Sequence, residues 1–220
     1  GTLEFQAGGI VTGNFKGTSV FLLLALFVFG TGKAALMPFH RWLPAAMVAP
    51  TPVSALLHAV AVVKAGVFTV LKIIVYVFGI EFLTEGNYAL WLCYVAGFTS
   101  IAASLVALTK DNLKARLAYS TISQLSYVVV GALLANDLAA IGSGMHIFMH
   151  AFAKVTLFFC AGAIMVAAHK TEVSQLDGLG AVMPFTMFAF FVASLSVIGL
   201  PPVGGVWSKW FLALGTLEAG

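Results

Sequence analysis

The sequence predicts an all-α integral membrane protein, built as a multi-spanning helical bundle, and three observations support this class. Of its 220 residues, 61% are hydrophobic and only 9% are charged, whereas soluble domains carry roughly 25% charge. Six apolar runs approach or exceed the roughly 20 residues that a helix needs to cross a bilayer. The short alternating segments typical of membrane β-barrels do not occur. We therefore expect a single transmembrane domain over residues 1–220.

The apolar runs predict six complete spans and the beginning of a seventh. The six runs cover residues 19–37, 53–80, 88–108, 117–135, 138–168 and 181–200, and the seventh begins near Val206. The chain opens on Gly1 in a polar, glycine-rich lead and stops soon after this last run begins. It is therefore expected to be a fragment of a longer chain.

Positive charge is concentrated on one side of the predicted spans. One set of alternate connections, residues 38–50, 109–116 and 169–180, contains Arg41, Lys110, Lys114, Arg116 and Lys170. The other set, residues 1–18, 81–87, 136–137 and 201–205, contains only Lys16. Cytoplasmic connections are enriched in Lys and Arg. The first set is therefore predicted to be cytoplasmic, with the protein in the inner (plasma) membrane of a prokaryote.

Two segments predict broken helices, each beside a lysine. In FGTGKAALMPFHRWLP the breaking residues Gly30, Gly32 and Pro38 flank Lys33. In VIGLPPVGGVWSKWF two prolines and two glycines, residues 201–205, precede Lys209. Proline removes a backbone donor and glycine loosens the helix, and such breaks at membrane depth need protein or a water-filled cavity around them. An ordinary proline kink is the alternative at either segment.

Three basic residues form a ladder inside the fifth span. His146, His150 and Lys154 stand at i, i+4 and i+8, so they share one helical face and climb about 6 Å per step. Placing a charged residue at mid-membrane costs about 3 kcal/mol of free energy. Three such residues on one face therefore indicate a function that offsets this cost. Histidine titrates near neutral pH, and a lysine removed from water releases its proton more readily. The ladder therefore predicts proton transfer.

The second span carries His58 and Lys64 in its interior and Lys72 nearer the outer end. Six residues separate His58 from Lys64, about 240° of rotation on a continuous helix, so the two are predicted to face different directions. Lys72 is interpreted as a lysine that extends toward the membrane surface. No Asp or Glu falls in the middle of any span, which favours a proton path over a cage for a metal cation.

The same residues have alternative interpretations. The spacing of His146 and His150 matches that of zinc metalloproteases, but Ile147 and Phe148 stand where a glutamate would be needed. Polar packing between helices is the second alternative. Cys93 and Cys160 lie in apolar runs and are interpreted as small buried hydrophobes. Neither a metal site, a cofactor nor a nucleophile–base pair is predicted, so the chain is not expected to be an enzyme.

Four motifs resemble the antiporter-like membrane subunits shared by respiratory complex I, Mrp-type sodium/proton antiporters and membrane-bound hydrogenases. The motifs are KAALMPFHRWLPAAMVAPTPVSALLHAVAVVKAG (33–66), KDNLKARLAYSTISQLSYVVVG (110–131), HAFAKVTLFFCAGA (150–163) and GLPPVGGVWSKW (199–210). The resemblance covers nearly the whole chain, and its details favour the D-like branch of the Mrp subunits.

The resemblance implies an inverted repeat of five plus five helices, each repeat with a broken helix, and a row of protonatable residues along the mid-plane. The matching positions in this sequence are Lys33, His58, Lys64, His146, His150, Lys154 and Lys209. In the family the first of these lysines pairs with a glutamate on an earlier helix, which this sequence does not contain.

A proton-translocating subunit of a multi-subunit membrane complex is thus the leading interpretation. It implies other membrane subunits as partners, H⁺ as the transported ion with Na⁺ as a candidate second ion, and a lipid bilayer around the chain. The small net charge of +3, spread over scattered residues, argues against a nucleic-acid partner. The alternatives are a structural membrane anchor without an ion path and a membrane partner of an inorganic-carbon uptake system.

Overall fold

The computed structural model describes residues 4–5, 8–11, 17–59 and 61–219. Eleven α-helices are found in this part of the chain, and its only β-type pairing is an isolated bridge between Asn112 and Glu172. The helices are α1 Thr18–Gly30, α2 Trp42–Ala45, α3 Thr51–Ala59, α4 Val62–Lys72, α5 Ile80–Gly86, α6 Leu90–Thr109, α7 Leu113–Leu133, α8 Asp137–Ala168, α9 Leu179–Val182, α10 Pro184–Ile198 and α11 Gly205–Glu218. The predicted all-α class is confirmed.

Among the described residues, three helical segments are long and apolar enough to cross a membrane: Thr51–Phe78, Leu90–Thr109 and Asp137–Ala168. The first of them comprises α3, α4 and a π-helical turn over Ile73–Phe78. The helix α7 has 21 residues but a more polar sequence, and it is packed in the interior of the bundle. The long helices α7 and α8 begin at asparagine caps, since Asn112 and Asn136 accept hydrogen bonds from the backbone N–H of Ala115 and Ala139.

Both predicted interruptions are confirmed. The helix α1 ends at Gly30, a 3₁₀ turn covers Gly32–Ala34, and Ala35 adopts a left-handed conformation with φ 55°. The helix α10 ends at Ile198, Gly199 is left-handed with φ 88°, and α11 begins only at Gly205. The indole N–H of Trp42 donates to the carbonyl of Gly32 at 3.1 Å, so a side chain meets one of the backbone groups at the first break.

The second interruption lies beside the middle of α8 and corrects the predicted count of spans. A Cβ added to Gly204 would lie 2.7 Å from the sulfur of Met149, and one added to Gly215 would lie 2.6 Å from the backbone nitrogen of Ala139. The helices α10 and α11 therefore follow successive parts of α8. We assign them to one interrupted crossing, rather than to a complete sixth span and a partial seventh, and residues 201–205 are not an outer connection. Hydropathy cannot distinguish a break inside the membrane from a loop outside it.

The first interruption is also at mid-depth. The backbone N–H of Met37 donates to the hydroxyl of Thr99, near the middle of α6, at 3.3 Å. Ala49, in contrast, accepts a hydrogen bond of 2.8 Å from Lys114 at the start of α7. Of the predicted connection 38–50, the later part therefore lies at the end of the bundle, while the residues that follow Met37 begin near the middle of α6.

One end of the bundle holds the basic connections together. Leu113 donates its N–H to the carbonyl of Thr171 at 2.9 Å, and Val173 donates to Asp111 at 2.8 Å. The hydroxyl and N–H of Ser174 donate to the Asp111 carboxylate at 2.7 and 3.0 Å. These two bonds hold the pKa of Asp111 below its usual value, and the bond from the Ser174 hydroxyl has the larger effect. The segments 109–116 and 169–180 thus lie side by side.

The opposite end joins the other set of connections. The hydroxyl of Thr84 donates to the carbonyl of Ala135 at 2.9 Å, and the amide of Asn136 donates to that of Gly215 at 2.6 Å. With α7 and α8 running between the two ends, the buried polar side chains of these helices lie in the middle of the bundle.

Candidate functional site

The ladder on α8 points into the bundle. Lys154, His146 and His150 are exposed by only 0, 2 and 3% of their surface. The rings of His146 and His150 are stacked, with centroids 5.7 Å apart and planes 25° apart. The predicted common face is therefore present, and it is covered by α3, α4, α7 and α11, which all pack against or beside α8.

Lys64 of α4 joins this ladder from a distant part of the chain. It is 5% exposed, and its ammonium contacts Nδ1 of His150, 86 residues later in the sequence. The close packing of α4 and α8 brings the two side chains together. Both are polar groups in an apolar interior, so each supplies the hydrogen-bond partner that burial requires of the other.

Lys154 is held by α7. Its ammonium donates to the carbonyl of Leu117 at 3.1 Å and contacts the hydroxyl of Ser120. The partners of Lys154 and Lys64 are neutral: a histidine, a hydroxyl and a backbone carbonyl. A charge with neutral partners is costly to bury, and this arrangement suits groups that exchange protons more than it suits a permanent ion pair.

His58 lies on the same side as Lys64, which corrects the prediction of different faces. Its ring packs on Phe158 of α8, with centroids 5.0 Å apart, and neither of its buried ring nitrogens has a hydrogen-bond partner in the described residues. The prediction assumed a continuous helix. Because α3 ends at Ala59 and α4 begins at Val62, the rotation counted along one helix does not apply across this point.

Lys209 lies at the second break, next to the end of the ladder. Its ammonium donates to the carbonyls of Val197 and Ile198 at 2.8 and 3.0 Å, which are among the unpaired acceptors at the end of α10. It also lies 5.4 Å from the ring centroid of Tyr127. Its neighbour Ser208 contacts Nδ1 of His146 at 3.0 Å, so α11 connects Lys209 to the ladder.

Lys33 is not brought to the buried set. It is exposed at the first break, beside a shallow apolar cavity of about 510 Å³ that is lined by Phe29, Phe39 and Trp42 among others. Its backbone packs closely on Gly66, two residues after Lys64. The seven predicted residues therefore comprise a buried group of five, a half-buried Lys209 adjoining it and an exposed Lys33.

Sequence reasoning missed the hydroxyl and aromatic partners of the basic residues. Ser120 and Tyr127 stand in the α7 segment YSTISQLSY, whose density of polar residues within an apolar helix was a signal available in the sequence. Ser208 carried no such signal, because a serine beside a lysine is a common pair. Within the described ranges, no group of three or more His, Cys, Asp or Glu side chains could hold a metal ion.

Comparison with known proteins gives a match over the whole chain. The family described as NADH:quinone oxidoreductase/Mrp antiporter, TM, matches residues 1–220. NAD(P)H-quinone oxidoreductase chain 5 of Synechocystis sp. is 35% identical over 221 residues, which cover 95% of this chain and 31% of that protein. NADH-quinone oxidoreductase subunit N of Desulforudis audaxviator is 38% identical over 203 residues, covering 91% of this chain and 40% of the relative.

A solved structure gives the same result. The Mrp complex from Dietzia sp. DQ12-45-1b includes a chain that superposes with a TM-score of 0.83 at 27% identity, covering 93% of this chain and 38% of that one. The chain thus spans about a third of the length of the curated relatives it matches. Since relatives of both oxidoreductase and Mrp type are found, assignment to the D-like Mrp branch stays a prediction.

Proposed function

Because the chain belongs to the NADH:quinone oxidoreductase/Mrp antiporter transmembrane family, we propose that it is the proton-conducting part of an antiporter-like subunit. In this proposal protons pass along a mid-membrane row formed by Lys33, His58, Lys64, His146, His150, Lys154 and Lys209. The chain conducts ions and has no catalytic chemistry of its own, with other membrane subunits as its partners.

The contact between Lys64 and His150 is the observation that carries the proposal. It joins two helices through a pair of titratable groups, with Lys154 and His146 one helical turn away on either side of His150. Each group can bind and release a proton, so the set supplies successive stations for one. A structural anchor would need polar contacts as well, but it would not need groups that titrate.

Lys64→Ala tests the proposal against a matched control, Lys72→Ala. Both lysines lie on α4, but Lys72 sits over the ring of Phe5 at 4.1 Å, away from the buried row. We expect Lys64→Ala to lower proton transport at least about 100-fold, the loss typical of a proton-transfer group, and Lys72→Ala to leave it near the wild-type rate. Transport is measured as dye-reported pH change in vesicles containing the complete protein.

The two variants also separate the leading proposal from the anchor. Equal transport by Lys64→Ala and wild type would contradict the row, and loss of assembly with Lys64→Ala would favour the anchor. Assembly is measured by copurification of the neighbouring subunits.

A role beside an inorganic-carbon uptake protein predicts bicarbonate-dependent growth of the Lys64→Ala strain in place of a defect in proton transport. The same vesicles, assayed with and without a Na⁺ gradient, report whether Na⁺ is coupled to H⁺.

The proposed orientation places the basic end of the bundle in the cytoplasm of a prokaryotic cell. It rests on Lys110, Lys114, Arg116 and Lys170, since segments 109–116 and 169–180 lie side by side at this end. Arg41, the fifth basic residue of the predicted set, lies in the early part of segment 38–50, nearer the first break. In a background in which alanine replaces both native cysteines, Asp177→Cys reports on this end and Glu85→Cys on the other, since both positions are exposed. A membrane-impermeant maleimide added to intact cells should label Glu85→Cys and spare Asp177→Cys; the reverse pattern would invert the orientation.

A further inference from the structure

Ser208 has two polar contacts that compete for its one hydroxyl hydrogen. Its hydroxyl is 3.1 Å from the carbonyl of Gly205 and 3.0 Å from Nδ1 of His146. A hydroxyl has one hydrogen to donate, and a carbonyl can only accept. If the hydrogen is donated to Gly205, the Ser208 oxygen must accept from His146, and the ring proton of a neutral His146 is on Nδ1.

This tautomer leaves Nε2 of His146 as an acceptor. Nε2 is buried and has no hydrogen-bond partner within the described part of the chain. The backbone carbonyl of Gln124 also lies near this ring, but it forms no hydrogen bond with Nε2. The contact of 3.0 Å between the Ser208 hydroxyl and Nδ1 is the contact of this ring that meets normal hydrogen-bond geometry.

The neighbouring ring has the opposite arrangement. A lysine ammonium has donors and no acceptor, so when Lys64 is protonated it donates to Nδ1 of His150. The proton of a neutral His150 is then on Nε2, which is also buried without a partner in the described residues. In these tautomers Nε2 of His150 is a donor, and Nε2 of the adjacent His146 is an acceptor.

We propose that Ser208 is a positioning residue that sets the His146 tautomer so that a proton passes from Nε2 of His150, through one water, to Nε2 of His146. The two rings are stacked with centroids 5.7 Å apart, an arrangement that does not allow a direct bond between their edges. One water, which reaches about 3 Å to each nitrogen, can accept from one and donate to the other.

The transfer balances. His150 gives its Nε2 proton to the water, the water gives a proton to Nε2 of His146, and Lys64 gives a proton to Nδ1 of His150. Lys64 ends neutral, His150 stays neutral with its proton on Nδ1, and His146 becomes an imidazolium. One positive charge has moved from α4 toward Lys209, which is next to Ser208 in the sequence. This step rests on the proposed function.

The acceptor of the Ser208 hydrogen links this step to the broken helix. Gly205 is the first residue of α11, and its backbone packs so closely against the carbonyl of Ser196 that an added Cβ would overlap that oxygen. The position of the Gly205 carbonyl is therefore fixed by the interruption between α10 and α11. Gly205 and Ser208 both lie in the first turn of α11, so a shift of this half-helix against α8 would keep their hydrogen bond and change the contact of Ser208 with His146.

Nitrogen-15 NMR of histidine-labelled complete protein in membranes tests the proposal, because protonated and bare ring nitrogens have separate resonances. The His146 signals are assigned by their loss in His146→Gln. The proposal expects a bare Nε2 in wild type and, in Ser208→Ala, a shift of the proton to Nε2 with about tenfold slower transport, which is the lower end of the loss when the orienting partner of a metal-bound histidine is removed. The matched control is Ser126→Ala, since Ser126 is equally buried and donates to the carbonyl of Ile122 on its own helix.

The outcomes are separable from those of the proposed function. A wild-type His146 with its proton on Nε2, or signals that Ser208→Ala leaves unchanged, would overturn the assignment to Ser208. Wild-type transport by His146→Gln would overturn the row itself, while the tautomer would still be read from the spectrum. An equal loss of transport in Ser126→Ala and Ser208→Ala would indicate a general packing effect and would also overturn the positioning role.

Discussion

Replacing Lys154 by alanine should abolish proton transport while the protein still inserts and assembles. Lys154 is completely buried and is the member of the ladder furthest along α8. Its removal takes one proton-binding group out of the row, and no neighbouring side chain is placed to replace it. We expect a loss of about 100-fold or more, measured as the initial rate of pH change in vesicles with matched protein content.

Lys154→Arg should rescue little of this transport. Arginine keeps the positive charge but does not release its proton at accessible pH, so a role in charge balance would be restored and a role in proton transfer would not. The hydrogen-bond partners of Lys154, the Leu117 carbonyl and the Ser120 hydroxyl, can both accept from a guanidinium. Lys170→Ala, just beyond the end of α8, is the control and should transport normally. Full activity of Lys154→Arg would contradict proton transfer through this position.

Replacing Gly66 by valine should prevent most of the protein from folding. A Cβ at this position would overlap the carbonyl carbon of Lys33 and lie 2.5 Å from the backbone nitrogen of Ala34. These are backbone atoms of the 3₁₀ turn at the first break, so no side chain can rotate away to make room. Overpacking costs about 1–3 kcal/mol where a core can relax and more where it cannot, and here α4 would have to separate from the turn.

Gly97→Val is the matched control for this substitution. Gly97 lies within α6, and an added Cβ there meets nothing within 4 Å. The yield of monodisperse protein after size-exclusion chromatography in detergent should fall several-fold for Gly66→Val and stay near wild type for Gly97→Val. The midpoint of thermal unfolding should likewise be lowered by Gly66→Val and unchanged by Gly97→Val. Equal protein yields and equal unfolding midpoints for the two variants would show that the turn at Lys33 can move to make room, and that its close packing on α4 is not required.

The helical class, the two interruptions and the buried ladder could all be predicted from the sequence because each depends on local chemistry. Hydrophobic runs of sufficient length have to be helical in a bilayer, and Pro201-Pro202 with Gly204-Gly205 cannot continue a helix. The spacing of His146, His150 and Lys154 alone places them on one face. The role of these residues in conduction stays a prediction until it is tested by transport measurements.

The partners of the ladder were decided only by the tertiary structure. Nothing local connects Lys64 with His150, Ser120 with Lys154 or Ser208 with His146, because these pairs lie 34 to 86 residues apart and meet through helix packing. The sequence likewise placed His58 and Lys64 on different faces and counted α10 and α11 as separate spans. Periodicity describes one continuous helix at a time, whereas the direction of a side chain across a break depends on how the broken parts pack against their neighbours.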